Sequence, residues 1–199
     1  ASTPSGFAAR DLDPVTVSDT MFDDPGYSPL DLYGSAQADA GDLSAPVVAS
    51  CPHAGRSYPA SMLAASKEPV SALRGLEDFG VDCLLPGLAA AGVTTVVNRF
   101  SRAYIDVNRD PAAVDSSMFS APVSTRPPCQ HVRAGYGLIP RLTATRKPIY
   151  AGKLDPTEIS TRLGNVHTPY HAALTSMMDQ AVSRFGKVLL IDMHSMPAF

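Results

Sequence analysis

The sequence predicts an α/β domain with a mostly parallel sheet and helices on both faces. Three stretches carry that expectation. Ala45–Ser50 and Val188–Ile191 are apolar runs too short for a lone helix, so each reads as a strand buried on both faces. Val93–Asn98 is β-branched and follows a helical stretch that Gly92 should stop, which makes a βαβ unit with a right-handed crossover. The three are expected to be neighbouring central strands.

A chain of 199 residues is long enough to bury a sizeable core in one domain. Its 45% hydrophobic and 18% charged composition is that of an ordinary globular protein. A formal charge of −3 gives no reason to expect nucleic acid or an anionic membrane as partner. No apolar run approaches the roughly 20 residues that span a bilayer, and the N-terminus lacks a basic and apolar leader pattern. Cys51, Cys83 and Cys129 are far apart and form no CxxC pair, which argues for reduced thiols in a cytoplasmic setting and against a zinc ribbon. Cys51 lies two residues before His53, so a nucleophilic thiol is one reading and a buried strand-end thiol the favoured one.

In chain order, residues 1–42 are rich in Ser, Asp, Pro and Gly and read as an N-terminal arm, partly irregular, that packs on a domain of residues 43–199. After the first core strand, His53–Pro59 is a loop punctuated by Gly55 and Pro59, and Ser61–Ser66 a helical turn. Leu76–Leu85 should open a helix with Glu77 and Asp78 in its first turn, kinked at Pro86 and running to Ala91. Past the second strand, Arg99–Arg109 sets three arginines, Asp106 and Asn108 around alternating apolar positions, one face polar and the other buried. Residues 110–148 are irregular, either a substrate-covering loop or surface connection. Leu154–Leu163 reads as a short helix capped by Asp155 with Pro156 at its first position, and Thr168-Pro169 repeats the signal. That last helix places Leu174, Met177, Met178, Ala181, Val182 and Phe185 on one face and ends at Gly186.

The chemistry lies at the strand ends. Two of the three predicted strands release a histidine at the carboxyl edge, His53 and His194, where ligands collect in open α/β sheets. A metal hydrolase takes three ligands from His, Asp and Glu and leaves a position open. Asp78 or Glu77 is the natural carboxylate, and Asp192 could orient His194. The alternatives are two satisfied structural histidines, and acids that only complement a helix dipole. The arginines suggest recognition of a carboxylate by bidentate bonds, or ion pairs of Arg102 or Arg109 with Asp106 or Asp110. Arg162, Tyr170 and His171 lie near helix starts, and His131 and His167 sit in predicted loops without evident partners. Phosphate-binding glycine motifs and a G-x-S-x-G elbow are absent, which removes nucleotide-binding and serine-hydrolase readings.

Pro52-His-Ala-Gly-Arg-Ser-Tyr-Pro59, Glu77-Asp78, Ser101-Arg-Ala-Tyr-Ile-Asp-Val-Asn-Arg109, Tyr170-His171 and Leu190-Ile-Asp-Met-His-Ser-Met-Pro197, in that order, resemble the N-formylglutamate amidohydrolases. The resemblance runs from about Ala45 to the last residue. It implies a three-layer α/β sandwich with a mixed, mostly parallel sheet, related to the zinc carboxypeptidases and phosphorylase/hydrolase-like folds. It also implies hydrolysis of N-formylglutamate to formate and glutamate in histidine breakdown, with a divalent metal, zinc, as cofactor. Carried over, His53, Asp78 and His194 look like the metal ligands, with Glu77 as the other carboxylate. Asn108 and Arg109 look like the grip on a substrate carboxylate, and Arg102 like a catalytic oxyanion stabiliser or second clamp. Members of the family continue past the His-Ser-Met-Pro motif with further sheet and an acidic residue like the catalytic glutamate of carboxypeptidases. The domain of residues 43–199 is therefore expected to lack its C-terminal part. A related zinc amidase, such as a peptidoglycan amidase, or a non-catalytic domain keeping the fold are the competing functions.

Overall fold

The computed structural model describes residues 13–34, 43–123 and 127–196. Residues 1–12 and 35–42 of the expected arm lie outside them. The strands are β1 (Val15–Val17), β2 (Leu30–Tyr33), β3 (Val47–Cys51), β4 (Ser57–Pro59), β5 (Thr94–Asn98) and β6 (Leu189–Asp192). The helices are α1 (Ala60–Ala65), α2 (Val70–Leu73), α3 (Leu85–Ala90), α4 (Gln130–Ala134), α5 (Thr157–Arg162) and α6 (Thr168–Phe185). The main sheet runs β2-β5-β3-β6, with β5, β3 and β6 parallel and β2 antiparallel at one edge. This is the mixed, mostly parallel α/β sheet that the sequence predicts.

Alternation along the strands divides the core into two layers. Val48 and Val96 face Tyr170 and Leu174 of α6 on one side. Ala49, Cys51 and Val97 face Val81, Leu85 and Leu88 on the other. Val48, Val96 and Val97 are fully buried, each worth roughly 1.5–3 kcal/mol of transfer free energy. Cys51 is part of this second layer, so it is a packed core thiol.

β6 departs from expectation. It pairs with β3, but it forms an edge, with Leu189 58%, Leu190 41% and Ile191 37% exposed. Burial of a strand on both faces needs cover on each face, and among the described residues β6 does not have it. β3 and β5 alone are central.

Residues 13–34 supply two strands. β1 pairs in parallel with β4, and β2 closes the far edge of the sheet against β5. Phe22 stacks on Phe100 with centroids 5.4 Å apart.

The expected helix over Leu76–Ala91 is broken into pieces. Two 3₁₀ segments, Arg74–Leu76 and Val81–Leu84, flank a non-helical turn that carries Glu77 and Asp78. The acids therefore are not in a helix's first turn, and side-chain bonds explain why. Asp82 makes two 2.8 Å bonds with Arg56, and Glu77 accepts from Tyr58 and Arg74. Pro86 begins α3 instead of kinking a longer helix, since its missing N–H is not needed in a first turn. Gly92 follows α3 with φ +79°, a conformation that suits glycine.

Arg99–Arg109 is not extended either. It folds into successive turns that bury Ala103, Tyr104, Ile105, Asp106 and Val107 together. Asp155 caps α5 as expected, accepting from Thr157 N at 2.8 Å. Thr168 caps nothing: α5 passes through a π turn, Leu163–His167, directly into α6. The widened turn lets Pro169 follow without breaking the helical path.

Candidate metal centre and substrate cleft

Three segments meet at the carboxyl edge of the sheet. β3 leads through Pro52 into His53, which is 2% exposed. β6 leads through Met193 into His194, whose side chain is 32% exposed. The turn between the 3₁₀ segments brings Asp78, whose N–H donates to the His53 carbonyl at 3.0 Å and so holds the carboxylate beside both rings. Gly55 permits the close packing of the His53 loop, because a Cβ there would stand 2.3 Å from the Phe100 carbonyl.

Asp78 Oδ2 lies 2.9 Å from His194 Nδ1 and 3.5 Å from His53 Nδ1. One ligand atom from each of His53, Asp78 and His194 falls within 4.8 Å of the others, so the three could hold a metal ion. Burial alone would raise the Asp78 carboxyl, but the two imidazoles beside it outweigh that and hold it below the usual carboxylate range.

His53 tests whether an ion fits. Its Nε2 lies 2.8 Å from Asp106 Oδ1. Asp106 is fully buried, which would raise its carboxyl, yet His53, Arg102 and Arg109 together hold it well below its ordinary value. An ionised carboxylate only accepts, so Nε2 carries the proton of this contact. Nδ1 is then left buried with no hydrogen-bond partner, facing Asp78. An unbonded ring nitrogen beside a carboxylate oxygen in a buried site is unfavourable unless a proton or a metal ion lies between them. Tetrahedral zinc with bonds of about 2.0–2.2 Å spaces its ligand atoms by roughly 3.3–3.5 Å. The His53–Asp78 spacing suits that geometry, the 2.9 Å His194–Asp78 contact is closer than it, and Asp106 stands where a carboxylate would orient a histidine that bound an ion.

The His194 side is built differently. Its Nε2 lies 2.9 Å from Asp192 Oδ2. Asp192 Oδ1 in turn accepts from Ser50 Oγ at 2.8 Å, and Tyr170 OH lies 2.8 Å from that hydroxyl. Burial lowers the His194 pKa, but Asp192 and Asp78 outweigh it and leave it above the ordinary histidine value.

The arginines divide. Arg99 lies over the Tyr27 ring at 5.5 Å, near Asp31 and away from the histidines. Arg102 Nε donates to Asp106 Oδ2 at 2.9 Å, and Arg109 Nε lies 3.5 Å from the same oxygen. Arg109 also donates to the carbonyls of Tyr136 and Asn108. Asn108 Nδ2 donates to Asp192 Oδ2 at 3.0 Å and lies 3.2 Å from His194 Nε2. The expected ion pairs thus exist, but both arginines also line a cleft of 470 Å³ with Asp78, His131 and Tyr136. His131 and Tyr136 come from the irregular segment, so part of it forms a wall of the cleft. Glu77 lines the cleft as well, tied to Tyr58 and Arg74.

Sequence reading missed Asp106 as the partner of His53 and His131 as a cleft residue. The signal for Asp106 was a carboxylate between two apolar residues, Ile105 and Val107, in a segment read as extended. His131 gave none.

A protein-family model described as N-formylglutamate amidohydrolase matches residues 45–199. The crystal structure of an N-formylglutamate amidohydrolase from Ralstonia eutropha aligns with a TM-score of 0.76 at 35% identity, covering 86% of this chain and 59% of that one. A gene product of Agrobacterium tumefaciens aligns with a TM-score of 0.60 at 20% identity, covering 87% and 59%, and shows a shared fold. This chain therefore spans 59% of the length of each structure. Among curated proteins none matches.

Proposed function

The chain belongs to the N-formylglutamate amidohydrolase family, and from that premise we propose that it carries out metal-dependent hydrolysis of the amide of N-formyl-L-glutamate, or a similar N-acyl amino acid, to formate and L-glutamate. The observation that carries this reading is the buried Nδ1 of His53, without a hydrogen-bond partner, facing Asp78 at 3.5 Å while Asp106 holds the other ring nitrogen. His53, Asp78 and His194 would hold the ion. The mixed imidazole and carboxylate donor set favours zinc. When bound, such an ion polarises the scissile carbonyl and lowers the pKa of its water to about 7.

The remaining roles fall to the chain's own side chains. Arg109 and Asn108 grip a substrate carboxylate, with Arg109 prealigned by its bonds to the Tyr136 and Asn108 carbonyls. Arg102, fixed through Nε by Asp106, presents the rest of its guanidinium to the cleft and steadies negative charge developing on the amide oxygen. Asp192 and Ser50 keep the His194 ring in orientation.

We assign residues 43–199 to the amidohydrolase domain and the reaction to histidine degradation in the cytoplasm, a setting that the free thiols of Cys51, Cys83 and Cys129 favour. Among the described residues no helix is long and apolar enough to cross a membrane. The test is formate release from N-formylglutamate by the zinc-loaded protein, abolished by a chelator and restored by added zinc. Zinc-loaded protein that releases no formate would overturn the assignment.

A further inference from the structure

Two histidines outside the metal group meet the loop that holds the proposed carboxylate grip. His167 ends the π turn and His171 follows one turn later on α6, with ring centroids 4.3 Å apart. His171 Nε2 lies 2.8 Å from the Val107 carbonyl, and His167 Nε2 lies 3.0 Å from the Arg109 carbonyl. A carbonyl only accepts, so both Nε2 atoms must donate. The two carbonyls stand on either side of Asn108 and at Arg109, in a segment of turns with no strand ladder to hold it. The N–H groups of this peptide run to Asp106, Asn108 N to its carboxylate at 3.0 Å and Arg109 N to its carbonyl at 3.2 Å, and the Asn108 carbonyl accepts from Arg109 Nη1. A π turn, rare in helices and recurrent at functional sites, delivers His167 to its carbonyl.

We propose that His167 and His171 are positioning residues that clamp the 107–109 backbone so that Asn108 and Arg109 meet a substrate carboxylate in the right orientation. The inference rests on the carboxylate-binding role of that pair. His167 is buried, but His171 is exposed, so replacing His171 tests the clamp without opening the core.

The experiment compares zinc-loaded wild type, His171→Leu and His171→Gln, the last keeping an N–H donor at similar reach. His171→Leu should raise KM for N-formylglutamate roughly two- to tenfold, the factor for one lost backbone hydrogen bond, with kcat and zinc content within about twofold. His171→Gln should recover most of the loss. Hydrogen exchange of the 106–110 amides should quicken in the Leu variant and stay near wild type in the Gln variant. An unchanged KM, an equal defect in both variants, or unchanged exchange would each overturn the clamp. Should the wild type fail to turn over, the functional assignment falls, and exchange of the 106–110 amides alone then decides for or against the clamp.

Discussion

His53 and His194 leave the sheet alike, each just past the end of a parallel strand, yet their surroundings differ. His53 follows a central strand, is 2% exposed and is tied to a fully buried carboxylate. His194 follows an edge strand, has a side chain 32% exposed and bonds to Asp192, itself 39% exposed. The first imidazole is held by the core and the second by its neighbours at the rim. Under the proposed metal-binding role, the core-held side would be the rigid wall and the rim side the adjustable one, which suits a centre that must admit and release a substrate.

The largest test of that difference removes each histidine. His53→Ala and His194→Ala should both abolish zinc retention and turnover, because two remaining ligands hold the ion poorly. Their costs to the metal-free fold should diverge: about 2–3 kcal/mol for His53→Ala, which leaves buried Asp106 short of a donor, and under about 1 kcal/mol for His194→Ala. Urea unfolding with metal analysis in parallel measures both, and equal stability losses would erase the distinction.

Asp106→Ala strikes the rigid wall directly. It strips the shared acceptor from His53, Arg102 and Arg109, and should destabilise by roughly 3–5 kcal/mol while releasing zinc. A variant with wild-type stability would show that the buried carboxylate does not organise this side.

Arg109→Lys keeps the charge but loses the two-pronged geometry. Substrate binding should weaken by about 1.5–3 kcal/mol with zinc still bound. A Michaelis constant like that of wild type would leave Arg109 only its 3.5 Å pairing with Asp106.

The strands themselves give a smaller contrast. In this 199-residue chain, Val48→Ala on β3 should cost roughly 1.5–3 kcal/mol, but Leu190→Ala on β6, already 41% exposed, under about 1 kcal/mol. Thermal unfolding of the pair would settle whether β6 is the looser support.

The smallest expected effect is on pH dependence. Desolvation holds buried His167 below its ordinary value of 6.5. A histidine with a lowered folded pKa binds fewer protons folded than unfolded, so stability should fall as pH drops from about 6.5 towards that folded value. His167→Gln should flatten this limb of the stability–pH curve. An identical slope in both proteins would mean that His167 titrates alike folded and unfolded.

Much of the site could be read in the chain. The apolar runs ending in His53 and His194 marked strand ends, and period and glycine stops located β3, β5, β6 and α6 to within two residues. The acids were misread because helix signals are local, whereas the turn at Glu77 and Asp78 is held by Tyr58, Arg74 and the His53 carbonyl. Arg99–Arg109 showed an alternation that suited a strand, yet it folds into turns because Asp106 is drawn into the core by one histidine and two arginines.

The sequence alone determined the kind of layers, the order of the motifs and the residue types able to bind a cation, because hydrophobic period and side-chain chemistry are properties of short segments. Only the tertiary structure decided which carboxylate meets which imidazole, that β6 is an edge, and that His167 and His171 hold the loop of Asn108 and Arg109. The contacts of His53 with Asp106, of His194 with Asp78, and of His167 and His171 with Arg109 and Val107 join residues more than fifty positions apart. Such contacts are fixed by how the layers pack around the sheet, and no local pattern encodes them.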